Sequence, residues 1–226
     1  MLHVANPTPF STARIRETVQ EILSAGVLPA IVQAGHPVLR QQAAPYEGQL
    51  DGAELAALIA LMREVMHDAP GVGLAAPQIG LPLQLAVLED QYDVDAETAA
   101  VRHRSPLEFF AVINPSYSPL GTGTAAFYEG CLSLQGLQAV VSRHESVRLD
   151  FTDPGGNRRQ QDFSGWQARI VQHETDHLQG ILYVDKAELR SLSNNAEYGA
   201  RWAHPDIRLA RQELGFLPGG DIDRGN

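Results

Sequence analysis

Five consecutive residues, His173-Glu174-Thr175-Asp176-His177, restrict this chain more than any other stretch. They fall in a segment, roughly 164–178, whose apolar spacing is helical, and Gly180 stands just beyond it, where a C-terminal cap glycine belongs. Four residues on an α-helix make one turn and about 40° of rotation, so His173 and His177 point the same way and can share one ion. Glu174 lies about 100° round from His173. It flanks the ion position without having to be a ligand, which is where a base acting on water belongs. Asp176 lies on the other flank and is a candidate for orienting the ligands. Two surface histidines on a charged helix would spell the same five letters, so the rest of the chain has to decide.

A tetrahedral ion that keeps one position for water needs a third protein ligand. His204 is the only later histidine, and its neighbours are unremarkable. Upstream, Glu129-Gly130-Cys131-Leu132-Ser133 places a thiol in a glycine-flanked segment after the strand-like residues 124–128. A thiolate with two imidazoles suits Zn²⁺ or Fe²⁺, so Cys131 is the better candidate. It is the chain's one cysteine, which excludes an intrachain disulfide and fits a reducing cytoplasm.

The formal net charge of −10 offers no excess of cations for phosphate backbones, and direct nucleic-acid binding is not expected. No run of about 18 apolar residues occurs, so no membrane span is expected. The start lacks the layout of a secretory signal. Glu17 and Glu21, beside Arg14 and Arg16, argue against organellar import, while 16 arginines against a single lysine point to a GC-rich bacterium, so a bacterial cytoplasmic protein is expected.

Apolar residues at helical spacing predict helices over 12–24 and 52–68, the second with Leu55, Leu58, Ile59, Met62 and Met66 on one stripe. Between them, residues 27–40 are broken by Pro29, Gly35 and Pro37. GVGLAAPQIG (71–80) reads as a small-residue loop, and residues 83–89 as a strand behind it. The acidic stretch 90–107 reads as a solvated loop, and 108–114 as a strand ended by Pro115. Further strands are expected at 124–128, 137–142, 145–151 and 157–163, the last two joined by an Asp-Pro-Gly-Gly turn. ILYVD (181–185) reads as a possible strand. The tail predicts a helix near 195–203 and another from Pro205, at its first position, to Gly215. The expected fold class is α+β: antiparallel-rich β-sheets around a central metal-binding helix, with helical N- and C-terminal additions. The expected organisation is a helical extension over 1–28, a catalytic domain over 29–187 and a helical extension over 188–226.

Three segments, GVGLAAPQIG at 71–80, EGCLS at 129–133 and QHETDHLQG at 172–180, resemble the three signature motifs of the peptide deformylase family, in the family's order. The wider resemblance runs from about 29 to 187 and includes Ile113-Asn114-Pro115. It implies that Cys131, His173 and His177 bind the metal and that Glu174 is general base and then acid. It also implies that the Gln78 side chain and the Leu132 backbone N–H donate to the developing oxyanion. The implied ion is Fe²⁺ in the cell, with Zn²⁺, Ni²⁺ or Co²⁺ as substitutes. The implied substrate is the N-formyl-methionyl end of a newly made polypeptide, cleaved to formate and a free amine.

The residues carry a physical reading beside this one. A thiolate ligand lowers the site's net charge to about +1 and weakens its Lewis acidity, placing more demand on Gln78 and Leu132. The glycines and alanines of this motif let an extended peptide approach closely and pair as an added strand, with Gly71, Val72, Gly73 and Leu74 as the expected substrate-binding residues. The loop lacks the Lys-Ser/Thr ending of a phosphate-binding loop. Gln135 stands where many family members have proline, which affects only the groove rim. Arg143, at a position where the family often has arginine, is expected to pair with Asp176 and brace the helix. Residues 187–226 carry six acids and five arginines, so ribosome docking through a basic tail is not supported. Two other readings stay open: an endopeptidase built on the same helix, and a silent relative that binds without turnover.

Overall fold

The structure is a computed structural model and describes residues 11–217. Helix α1 (Thr12–Ser24) starts where Ser11 Oγ accepts the Arg14 N–H. Helix α2 (Gly52–Asp68) starts in a capping box: Asp51 accepts the Ala53 and Glu54 N–H groups, and Glu54 caps the Asp51 N–H in return. The predicted stripe of α2 is buried, and Ile15 and Val19 of α1 join the same core.

The small-residue segment is not a simple loop. Gly73–Ala75 forms strand β1, antiparallel to β2 (Leu85–Asp90), and Ala76–Ile79 makes a 3₁₀ turn ended by Gly80 at φ 83°. The stretch 90–107 is not a solvated loop either. Asp95 caps a short helix α3 (Ala96–Val101), and Arg104 grips the buried Asp90 with two hydrogen bonds of 2.7 and 2.8 Å. Strand β3 (Leu107–Pro119) does not end at Pro115. It passes through a register shift between Ile113 and Ser116, where Asn114 takes φ 50° and its amide bonds the Tyr46 backbone N–H and C=O. A bulge is where a strand tolerates proline, because no ladder N–H is required there.

Strands β4 (Thr124–Gly130), β5 (Leu137–His144), β6 (Ser146–Thr152) and β7 (Arg158–Ser164) follow. One antiparallel sheet has the order β1-β2-β3-β6-β7. The other pairs β4 with β5 and ends on β8 (Ser193–Asn194). Helix α4 (Gly165–Leu178) lies between them. Its Ala168, Ile170, Val171 and Leu178 pack with Leu88, Val147, Leu149 and Phe163 of the larger sheet. On the other side, Gln172 bonds both the N–H and the C=O of His144 on β5. Gly180 takes φ 73°, and a Cβ there would sit 2.8 Å from the Arg40 carbonyl carbon, so the exit from α4 requires glycine.

Residues 181–185 do not form a strand. Asp185 accepts the Leu182 N–H at 2.8 Å and closes a 3₁₀ turn over Tyr183–Asp185. The helix expected near 195–203 is a short α5 (Asn195–Glu197) running into a π turn at Tyr198–Trp202. The last helix, α6 (Arg208–Leu214), begins later than expected, and Pro205 precedes it rather than occupying its first position. Asp206 accepts the Arg208 N–H and sets that start.

Candidate active site

Helix α4 presents His173 and His177 one turn apart, with ring centroids separated by 5.0 Å. Cys131, just past the end of β4, meets them. The donor atoms of Cys131, His173 and His177 all lie within 4.8 Å of one another, with Cys131 Sγ 3.2 Å from His177 Nε2. This is a soft sulfur and two imidazole nitrogens converging on one point, a donor set that suits a divalent transition ion.

The electrostatics fit a cation. His173 is half-buried; desolvation lowers its pKa, but Cys131 and Glu129 outweigh this and raise it to about 10. Surroundings that favour positive charge on His173 would also favour an ion beside it. Burial, with His173 and Arg143 nearby, keeps His177 well below the ordinary imidazole value, so its ring is neutral and offers a lone pair. Tyr183 stacks on the His173 ring at 6.2 Å and 18°, fixing its plane.

Glu129 is a site residue for which the sequence reading gave no role. Its Oε2 lies 3.0 Å from His173 Nδ1, which leaves Nε2 for a ligand bond. Burial would raise the Glu129 carboxyl, yet Arg143, His173 and Arg169 hold it well below the usual carboxylate range. Arg143 donates to Glu129 at 2.6 and 2.9 Å and to Asp176 at 2.8 Å, and is itself buried. Arg169 adds a bond of 2.5 Å. Asp176 also receives Tyr117 Oη at 3.1 Å and Lys186 Nζ, from the chain's single lysine, at 2.7 Å. A chain of charge-assisted bonds thus runs from Asp176 through Arg143 and Glu129 to His173. The usable signals were positional. Glu129 is two residues from Cys131 along extended chain, and Arg169 is four residues before His173 on one helix face.

Glu174 is 4 % exposed, and its Oε2 has no hydrogen-bond partner among the described residues. Burial raises its carboxyl to about 7. A Cβ on Gly73 would lie 2.3 Å from Glu174 Oε1, so that glycine is what gives the carboxylate its place. Gly73→Ala is therefore expected to displace the Glu174 carboxylate and, were that group to act on a substrate, to lower kcat about 10-fold or more. Turnover measurements beside a thermal melt would show whether activity falls while the fold is kept.

Gln78 Oε1 accepts the Ala75 N–H at 2.8 Å, which turns Nε2 toward Cys131 Sγ (3.6 Å) and Ser133 Oγ (3.4 Å). The Leu132 N–H makes no hydrogen bond among the described residues. Gly71, Val72 and Gly73 line the same cleft of about 990 Å³ as Gln78, Cys131, Leu132, His173 and Glu174. Leu74 does not line it: its side chain is fully buried in the core shared with α2, because successive strand residues face opposite ways.

The family profile described as polypeptide deformylase matches residues 28–193. Peptide deformylase 1 of Streptomyces coelicolor is 51% identical over 213 residues, covering 94% of this chain and 98% of that protein. The human mitochondrial peptide deformylase is 41% identical over 169 residues, covering 73% and 70%. Among solved structures, the class I type b peptide deformylase of Acinetobacter baumannii bound to Met-Ala-Ser superposes with a TM-score of 0.64. It is 28% identical and covers 71% of this chain and 98% of that one. The fold, the converging donor set and these likenesses agree, and the chain belongs to the polypeptide deformylase family.

Proposed function

We propose that this chain removes the formyl group from the N-terminal formyl-methionine of new polypeptides through the residues described above. The observation that carries the assignment of roles is the convergence of Cys131, His173 and His177 beside Glu174 and Gln78 in one cleft. The cleft holds the chain end, with the peptide running along Gly71–Gly73 as an added strand. When bound, a divalent ion supplies Lewis acidity toward the formyl oxygen and lowers the pKa of a water beside it. Glu174 takes that water's proton and returns it to the departing amine, so formate and a free N-terminus result. Gln78 Nε2–H and the Leu132 N–H donate to the formyl oxygen as it gains charge. Fe²⁺ fits the mixed sulfur and nitrogen donors in a reducing cell, and Zn²⁺, Ni²⁺ or Co²⁺ would fit as substitutes.

We assign the catalytic unit to residues 29–187, with helical extensions on either side, acting on nascent chains in a bacterial cytoplasm. No helix among the described residues is long and apolar enough to cross a membrane. The tail, with six acids against five arginines, gives no support to docking on ribosomal RNA.

The test is anaerobic purification, metal analysis, and an assay of formate release from formyl-Met-Ala-Ser beside the unformylated peptide. No formate from a metal-replete preparation rejects the assignment. Gln78→Ala is expected to keep its metal and lose kcat by about 10²–10³-fold, the usual effect of deleting one oxyanion donor. Turnover near the parent value would remove Gln78 from that role.

A further inference from the structure

The cleft extends beyond the ligand cluster to Arg102, Trp166, Asn195 and Tyr198. Trp166 and His173 are seven residues apart on α4, so they share a face about 10 Å apart along the axis, with Ile170 between them. Six bonds of about 1.5 Å separate a formyl carbon from the terminal methyl of methionine, a reach of roughly 7 Å. Ile31, Gln33, Leu137 and Gln138 line other parts of the cleft, and the end near Trp166 is the one that shares a helix face with His173.

Arg102 stands at that end. Its guanidinium carbon lies 5.3 Å from the Trp166 ring centre and 5.6 Å from that of Phe127. Its Nε and Nη2 donate to the carbonyls of Pro205 and His204, each at 3.0 Å. No carboxylate among the described residues forms a salt bridge with it. The head is thus held by two backbone acceptors from a segment outside the family-matched residues 28–193. Tyr198 of that segment packs on Tyr128 of β4 with ring centres 5.0 Å apart, docking it against the cleft. An arginine gripped at its edge and within cation–π distance of two rings is a wall, not a free arm.

We propose that Arg102, held by the carbonyls of His204 and Pro205, closes the pocket for the first side chain and sets the longest side chain accepted. Its role is specificity, and it rests on the deformylase reading above. The thioether of methionine suits the edge of the Trp166 ring. A longer side chain would run toward the guanidinium, which lines the same cleft.

The test compares formate release from formyl-Met-Ala-Ser and from the same peptide carrying ethionine, the S-ethyl homologue. The parent enzyme is expected to disfavour ethionine in kcat/KM by about 10-fold or more, the range one methylene commands in a closed pocket. Arg102→Ala is expected to raise kcat/KM for the ethionine peptide by about 10-fold, mainly through KM. A merely damaged protein would not gain a substrate. Should Arg102→Ala fail to fold, Arg102→Met keeps the unbranched stem without the guanidinium and is judged the same way. Equal use of both peptides by the parent enzyme, or no gain with ethionine in a variant that melts like the parent, overturns the proposal. Absence of formate from the methionine peptide would instead count against the deformylase reading.

Discussion

Replacing Glu174 by glutamine is expected to lower kcat for formate release by about 10²–10⁴-fold, the range over which a positioned proton-transfer group acts. Glutamine has the same shape, so the space left by Gly73 stays filled and no cavity opens. What it lacks is the ability to take a proton. Glu174 is buried and its Oε2 has no protein partner among the described residues, so no structural bond is lost with the charge. Metal content should remain at the parent level, because the converging donors are those of Cys131, His173 and His177. Elemental analysis beside single-substrate kinetics checks both halves. A glutamine variant within tenfold of the parent kcat would refute the base assignment.

Glu129→Ala is expected to be the most destabilising single change at the site. Glu129 faces Arg143, Arg169 and His173 in a buried setting. Its removal leaves two buried guanidinium groups short of their shared counter-ion, and breaking a buried pair from one side costs about 3–5 kcal/mol. In a chain of this size that is a fall in melting temperature of roughly 6–20 °C. His173 also loses the acceptor on Nδ1 that orients it, so metal affinity should fall about 10–100-fold. Thermal melts and a competitive metal titration read these effects separately. A variant with parent melting temperature and parent metal affinity would mean that the charge network is incidental.

Helix α4 was legible because its information is local: a 3.6-residue period, a cap glycine and two histidines four apart. Helices α1 and α2 were legible for the same reason, since caps and apolar stripes lie within the segment itself. Strand β3 was cut short at Pro115 because its continuation depends on Asn114 bonding Tyr46, a residue far away in the chain. Helix α3 was missed because Asp95 reads as one more acid in a polar stretch until its carboxylate is seen on the Thr98 N–H. Leu74 was grouped with the cleft because the motif runs through it, whereas the pleat of β1 turns it into the core. Glu129 and Arg169 were within reach of a positional argument. Their importance comes from mutual burial, which no single segment encodes. Arg102 lay furthest from view, because the carbonyls that hold it belong to a tail that docks only in the folded molecule.

The three converging donors sit on two separate pieces of chain, one at a strand end and one on the central helix. An ion taken up by them would join those pieces, and an unfolded chain offers no such site. Folding and metal supply are then linked by mass action: an ion at a hundred times its Kd adds about 2.7 kcal/mol to the folded state. The melting temperature becomes a property of the solution as well as of the sequence, and preparations with different metal histories will differ in it. For a cell, scarcity of the ion would remove activity and shorten the lifetime of the protein at once. The supply of mature protein N-termini would then follow metal availability more steeply than site occupancy alone would require.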